Sequence, residues 1–97
     1  ALIDAVIKRH LAQIRYCYQR ELTKHPDLEG KVVVKFVIAA DGTVREASVK
    51  STTMGNATVG ECVVNRFLRM QFPEPVGGGI VIVSYPFLFQ TAEDDGT

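Results

Sequence analysis

The sequence predicts an α+β fold with the order α-β-β-α-β, a three-stranded antiparallel sheet with two helices packed on one face. Two amphipathic stretches with helical spacing, over 2–22 and 59–70, indicate the helices. Alternating apolar residues over 31–51 and an apolar run over 80–90 indicate three strands. Because a crossover after a hairpin is right-handed, the third strand should lie beside the first, with both helices on one face.

The first helix is indicated by an apolar stripe with charged side chains on the opposite face. We expect it to end before Pro26, since the residue that precedes a proline is driven out of the helical region. The inward stripe consists of Ile3, Val6, Ile7, His10, Leu11, Ile14, Cys17 and Tyr18.

A hairpin follows, in which two strands over 31–39 and 43–51 flank Asp41-Gly42, a dipeptide typical of tight turns with positive φ. The alternation of the first strand predicts that Val33 and Val37 face the side of the sheet without helices. The residues that should face the core are Val32, Val34, Phe36 and Ile38 in the first strand and Val44, Ala47 and Val49 in the second.

The second helix should begin at Thr58, because Glu61 three residues later completes the spacing of a capping box. Its inward face would consist of Val59, Cys62, Val63, Phe67 and Met70. The last strand, 80–90, contains no charged residue, and its Pro86 belongs on an edge strand with the missing N–H turned outward.

Composition excludes several functional classes for this chain of 97 residues. Eleven Lys and Arg balance eleven Asp and Glu, which argues against a polybasic nucleic-acid binder, and 46% hydrophobic residues indicate a globular fold. No apolar stretch is long enough to span a membrane. We expect residues 93–97 to form a disordered acidic tail. Because the chain begins at Ala1, we also expect it to be part of a longer protein.

The sequence shows no catalytic, metal or cofactor site. Cys17 and His10 are seven residues apart on one helix, roughly 10 Å along its axis, which is too far for a hydrogen bond. The four Cys and His residues lack the paired spacing of a zinc site. The glycines at 77–79 precede a strand and lack the lysine of a phosphate-binding loop.

Cys17 and Cys62 lie on the inward stripes of the two helices, so the fold brings both thiols towards the same layer. A disulfide between them is the interpretation we favour. Two reduced cysteines in the core remain the alternative.

The uncharged strand 80–90 would leave an apolar edge open to a partner's strand. The binding residues would precede Pro86, and they are Ile80, Val81, Ile82, Val83, Ser84 and Tyr85. Two alternatives stay open: other parts of the protein cover this edge, or the edge pairs with a second copy in a homodimer.

The stretch from Leu28 to Phe36, followed by Asp41-Gly42-Thr43-Val44, resembles the hairpin of the TonB C-terminal domain. The aromatic-proline stretch 72–75 and a final apolar strand extend the resemblance over about residues 28–90, and we therefore delimit a TonB-like domain at 1–92. The chain is more similar still to the myxobacterial AgmX/PglI (GltJ) type. The features that carry this second resemblance are Arg15-Tyr16-Cys17-Tyr18, Cys62 and Tyr85-Pro86-Phe87.

The resemblance implies a non-enzymatic periplasmic domain at the end of an inner-membrane protein. Such proteins engage outer-membrane or periplasmic partners and are driven by a separate proton-powered motor. The AgmX-like resemblance implies gliding motility, whereas ordinary TonB proteins transduce energy to outer-membrane transporters. An oxidising periplasm would also keep a bridge between Cys17 and Cys62 stable.

Overall fold

The computed structural model describes residues 2–91, in which three helices lie on one antiparallel sheet. The sheet order β2-β1-β3 confirms the predicted fold class and the predicted position of the last strand beside the first. The expected tail 93–97 lies outside the described residues. The elements are α1 (Leu2–Arg9), α2 (Leu11–Leu22), β1 (Gly30–Ile38), β2 (Val44–Thr52), α3 (Ala57–Phe67) and β3 (Val81–Phe89).

The prediction of one continuous helix over 2–22 was wrong, because the chain bends at His10. This residue has φ −104° and ψ 4°, and its backbone N–H bonds to the carbonyl of Ile7, three residues back. Its carbonyl then accepts from Gln13 and Ile14, which starts α2. No proline or glycine near His10 indicates this break in the sequence.

The core lies between the sheet and the helices, as the apolar stripes predicted. Phe36 occupies its centre, with ring centroids 4.6 Å from Phe67 and 5.5 Å from Phe72. Tyr18 of α2 stacks on Phe89 of β3 at 5.0 Å. These aromatic pairs join the central strand β1 and the outer strand β3 to the helix layer. No helix within 2–91 has the length and apolar character needed to cross a membrane.

The second predicted helix begins and ends earlier than expected. Asn56, not Thr58, caps α3: its side-chain oxygen accepts from the backbone N–H of Val59 at 3.0 Å. The helix ends at Phe67 rather than at residue 70. Gly60 is buried where α3 crosses β2, and a Cβ there would lie 2.9 Å from a methyl of Val49. The glycine that weakens the helix locally therefore permits its close packing on the sheet.

The hairpin turn is stabilised by Asp41 and Gly42, the dipeptide from which it was predicted. Gly42 has φ +87°, and a Cβ there would lie 2.0 Å from the carbonyl oxygen of Phe72. The Asp41 carboxylate accepts from the backbone and hydroxyl of Thr43 at 3.0 and 2.6 Å. The hydroxyl contact is the main reason why the pKa of Asp41 lies below its usual value.

Candidate functional site

The candidate site is the outer edge of β3, which pairs with β1 on one side only. The register is uninterrupted over nine residue pairs, from Gly30 opposite Phe89 to Ile38 opposite Val81. Pro86 lies within this strand, opposite Val33. In the described part of the chain, β3 has no second neighbour in the sheet.

Two observations show which backbone groups of β3 face outward. Because Pro86 has no N–H, an unbroken ladder requires that its nitrogen point away from β1. The carbonyl and N–H of Lys31 bond to Thr53 on the β2 side. Because alternate residues of a strand direct their backbone groups to the same side, Val33 also faces β2, and Pro86 opposite it faces away from β1. Even-numbered residues of β3 therefore present their backbone to the free edge, while odd-numbered residues bond to β1.

The same alternation divides the six residues predicted to bind a partner. The side chains of Val81, Val83 and Tyr85 pack against the core. Ile82 and Ser84 are exposed, Ile82 to 60%, and their backbone groups face outward. Ile80, which is 53% exposed, lies one residue before the strand as the structure has it. Ile82 and Ser84 thus combine exposure with free hydrogen-bonding groups.

The face of the sheet without helices is apolar near this edge. Val37, paired with Ile82, is only 7% exposed, and Val33, paired with Pro86, is half-buried. Leu88 is 61% exposed beside them. Val33 and Val37 were predicted to face this side, and neither belongs to the core cluster that contains Val34 and Phe36. Apolar side chains arriving with a partner strand would find apolar neighbours here.

A hollow of about 360 Å³ lies at the start of β3. Most of its lining is apolar, and Val76 at its rim is fully exposed. Glu74 is the one charged residue among those that line it. The lining consists of Leu2, Ile3, Ile38, Pro73, Glu74, Pro75, Val76 and Val81. This hollow is large enough for one apolar side chain of a segment that runs along the edge.

One hydrogen bond ties α1 to β3. The hydroxyl of Tyr85 donates to the carboxylate of Asp4 at 2.5 Å, and Lys8 pairs with the same carboxylate at 3.2 Å. The Tyr85 hydroxyl is the main cause that lowers the pKa of Asp4, and the carboxylate in turn raises the pKa of Tyr85. The contact therefore depends on a neutral tyrosine and an ionised aspartate.

The two cysteines form the disulfide that we favoured, and it joins α2 to α3. The Cα atoms of Cys17 and Cys62 are 5.6 Å apart, and 45 positions separate them in the sequence. Cys17 is buried and Cys62 is half-buried. Both sulfur atoms are used in this bond, so neither is a nucleophile paired with His10. Within residues 2–91, no group of three or more His, Cys, Asp or Glu side chains could hold a metal ion.

Sequence reasoning missed three features around the site. The contact of Asp4 with Tyr85 joins residues 81 positions apart, and no local pattern indicates it. The hollow is assembled from four separate segments. The β2 bulge at Arg45 did leave a signal, because the inward residues Val44 and Ala47 are three apart, where a regular strand would place them two apart.

Comparison with solved structures shows the fold of this chain. The C-terminal domain of TonB from Pseudomonas aeruginosa is similar with a TM-score of 0.56 and 22% identity, over 73% of this chain and 74% of that one. The C-terminal domain of TonB from Helicobacter pylori gives 0.52 and 22%, over 82% and 91%. No family model and no curated protein matches the chain. The fold is that of TonB C-terminal domains.

Proposed function

We propose that this chain is a non-enzymatic protein-binding domain that takes an extended segment of a partner as an additional strand along β3. The observation that carries the proposal is the free edge itself. It is regular over nine residues, contains no charged side chain, and directs backbone groups of Ile82 and Ser84 outward. Backbone pairing along such an edge supplies affinity, and side-chain pockets supply selectivity.

Selectivity would come from the hollow at the start of β3. A segment paired with Ile82 and Ser84 passes this hollow as it continues beyond Ile80. An apolar side chain of the partner would enter there and contact Val76 and Val81, while Glu74 would disfavour an acidic residue. The preferred partner segment is therefore extended, apolar near one end and free of proline where it pairs.

The cellular setting that we propose follows the resemblance of the sequence. The domain would lie in the periplasm, at the end of an inner-membrane protein coupled to a proton-driven motor, and would bind an outer-membrane or periplasmic protein in a gliding-motility machine. Two observations support this setting: the fold of TonB C-terminal domains, and a disulfide that an oxidising compartment keeps formed. Energy transduction to an outer-membrane transporter is the alternative in the same setting.

Crosslinking in the native envelope tests the proposal. A photoreactive residue replaces Ile82, which is exposed; Val83 is unsuitable because its side chain packs against the core. The matched control carries the same residue at the exposed Arg45 of β2. We expect one discrete partner captured from position 82 and none from position 45. Capture of the same protein from both positions would contradict binding at the β3 edge.

The captured partner then allows a backbone test. Ile82→Pro removes an outward N–H and should weaken binding at least about fivefold, the effect of one unsatisfied hydrogen bond. Ile82→Ala keeps that N–H and should weaken binding less. Equal binding by wild type and a folded Ile82→Pro variant would refute strand addition.

A homodimer is the second candidate, because the same uncharged edge could pair with its own copy in an antiparallel, two-fold arrangement. Light scattering over a concentration series distinguishes the two. A dimer that Ile82→Lys dissociates would favour self-association, whereas a monomer at all concentrations would favour a separate partner.

A further inference from the structure

The positive charge of this neutral chain is concentrated in its helix layer. Residues 2–24 and 57–69, which contain the three helices, carry seven basic and three acidic side chains. Two of the three acids are engaged, Asp4 with Lys8 and Glu21 with Lys24. The basic residues are Lys8, Arg9, Arg15, Arg20, Lys24, Arg66 and Arg69.

Three of these arginines meet at a groove between α2 and α3. The groove has a volume of about 310 Å³, and the half-buried Cys62 of the disulfide belongs to its lining. Its residues are Arg20 from α2 and Thr58, Glu61, Cys62, Asn65, Arg66 and Arg69 from α3 and the turn that follows it. The lining is therefore polar, with three positive charges against one negative charge.

Within residues 2–91, the guanidinium groups of the groove have no acidic partner. The ion pairs of the described residues are those of Lys8 with Asp4 and Lys24 with Glu21, and neither involves these arginines. Arg20 lies over the ring of the exposed Tyr16, 5.8 Å from its centroid. Glu61 lines the groove but pairs with none of the three. Their hydrogen-bond donors are thus available to an incoming anion.

The geometry of the helices fixes the arrangement of these charges. Cys17 is bonded to Cys62, and Glu21 accepts from the side chain of Asn56, so α2 and α3 run antiparallel. Arg20 therefore lies at the Thr58 end of the groove, and Arg66 and Arg69 lie at the other end. From Thr58 to Arg66 the helix rises about 12 Å, the length of about four extended residues.

We propose that this groove, lined by Arg20, Arg66 and Arg69 above the disulfide, is a second docking site that binds an acidic, extended segment of a protein. Arginines bind carboxylates through paired hydrogen bonds, and Thr58 and Asn65 add neutral polar groups between the two ends. The covalent link between the helices holds both ends in place before the segment arrives, which lowers the ordering cost of binding. The site is independent of the β3 edge, because it lies in the helix layer.

Fluorescence anisotropy with labelled hexaglutamate, and hexalysine as the negative control, tests this site on the 97-residue chain. We expect salt-sensitive binding of hexaglutamate alone. Arg66→Glu with Arg69→Glu should weaken it at least about tenfold, since reversal turns attraction into repulsion. The matched control is Arg45→Glu with Lys50→Glu, at exposed positions of β2, which makes the same change in net charge. It should weaken the binding of hexaglutamate less than about threefold.

A variant at Glu61 and a binding assay with lipid vesicles test the proposal further. Glu61→Gln should strengthen binding, because it removes the one negative charge of the groove. Equal losses in the two double variants would overturn the proposal, since they would show an effect of net charge alone. It would also be overturned if the chain bound phosphatidylglycerol vesicles but not hexaglutamate. Circular dichroism of each variant shows that a loss of binding does not reflect unfolding.

Discussion

The two edges of the sheet are built differently. The register of β2 against β1 shifts twice, and the extra residues at the two shifts are Arg45 and Lys50. Both are exposed and charged, and bulges with charges are the means by which proteins prevent unwanted pairing at an edge. β3 has neither feature, and Pro86 removes one donor from it. We therefore expect a partner strand to pair at β3 and not at β2.

The helices above the two edges are also attached differently. α3 packs on β2 with Gly60 against Val49, and a disulfide joins α3 to α2. Near β3, α1 is separated from α2 by the bend at His10 and is tied to the strand by the bond between Asp4 and Tyr85. On the β2 side, where we expect no partner, the helices are joined covalently. The side that we propose to bind one is held by non-covalent contacts.

The largest expected effect concerns the disulfide that fixes the β2 side. Replacing Cys17 and Cys62 with serine should lower the free energy of unfolding by about 4 kcal/mol, because the unfolded chain regains the entropy of a closed loop. Urea denaturation of variant and wild type measures the difference. Wild type with reductant should behave like the variant, and without reductant its intact mass should be about two daltons lower than when reduced. Equal denaturation midpoints would contradict this prediction.

The next effect distinguishes the two sides of β3 itself. Val83→Pro removes an N–H that bonds to β1 and should destabilise the fold by about 3 kcal/mol. Ile82→Pro removes an N–H that faces the free edge and should destabilise the fold much less. Thermal denaturation of the two variants, which differ by one position, measures this contrast. Equal melting temperatures would show that our assignment of the outward backbone groups is wrong.

The smallest effect is the pH dependence of the tie between α1 and β3. Asp4, with its lowered pKa, contributes stability that is lost as the pH falls through its folded-state pKa. Tyr85, with its raised pKa, contributes stability that is lost as the pH rises through its folded-state pKa. Tyr85→Phe should remove the Tyr85 contribution and the largest part of the Asp4 contribution, leaving the part due to Lys8, and should flatten the profile of melting temperature against pH. Tyr16→Phe, at an exposed position, should leave the profile unchanged; equal profiles for wild type and Tyr85→Phe would disprove the coupling.

Patterns local to the chain were sufficient for the strands, their order and the helical segments, but not for the break at His10. The alternation at Val32, Val34, Phe36 and Ile38 identified the core face of β1, and Asp41-Gly42 identified the turn. Pro86 identified β3 as an edge strand, because proline has no backbone N–H. The predicted start of α3 was wrong because two capping signals competed. Thr58 and Glu61 matched a capping box, but Asn56 caps the helix and also bonds to Glu21.

The sequence by itself determined the order of helices and strands, the face of each that is buried, and the absence of charge on the last strand. It did so because hydrophobic periodicity and proline chemistry act over a few residues. Only the tertiary structure decided the helix break at His10, the bulge at Lys50, the hollow beside β3, and the arginine groove above the disulfide. Each of these depends on contacts between residues far apart in the chain, where packing selects among conformations that local preferences leave nearly equal in energy.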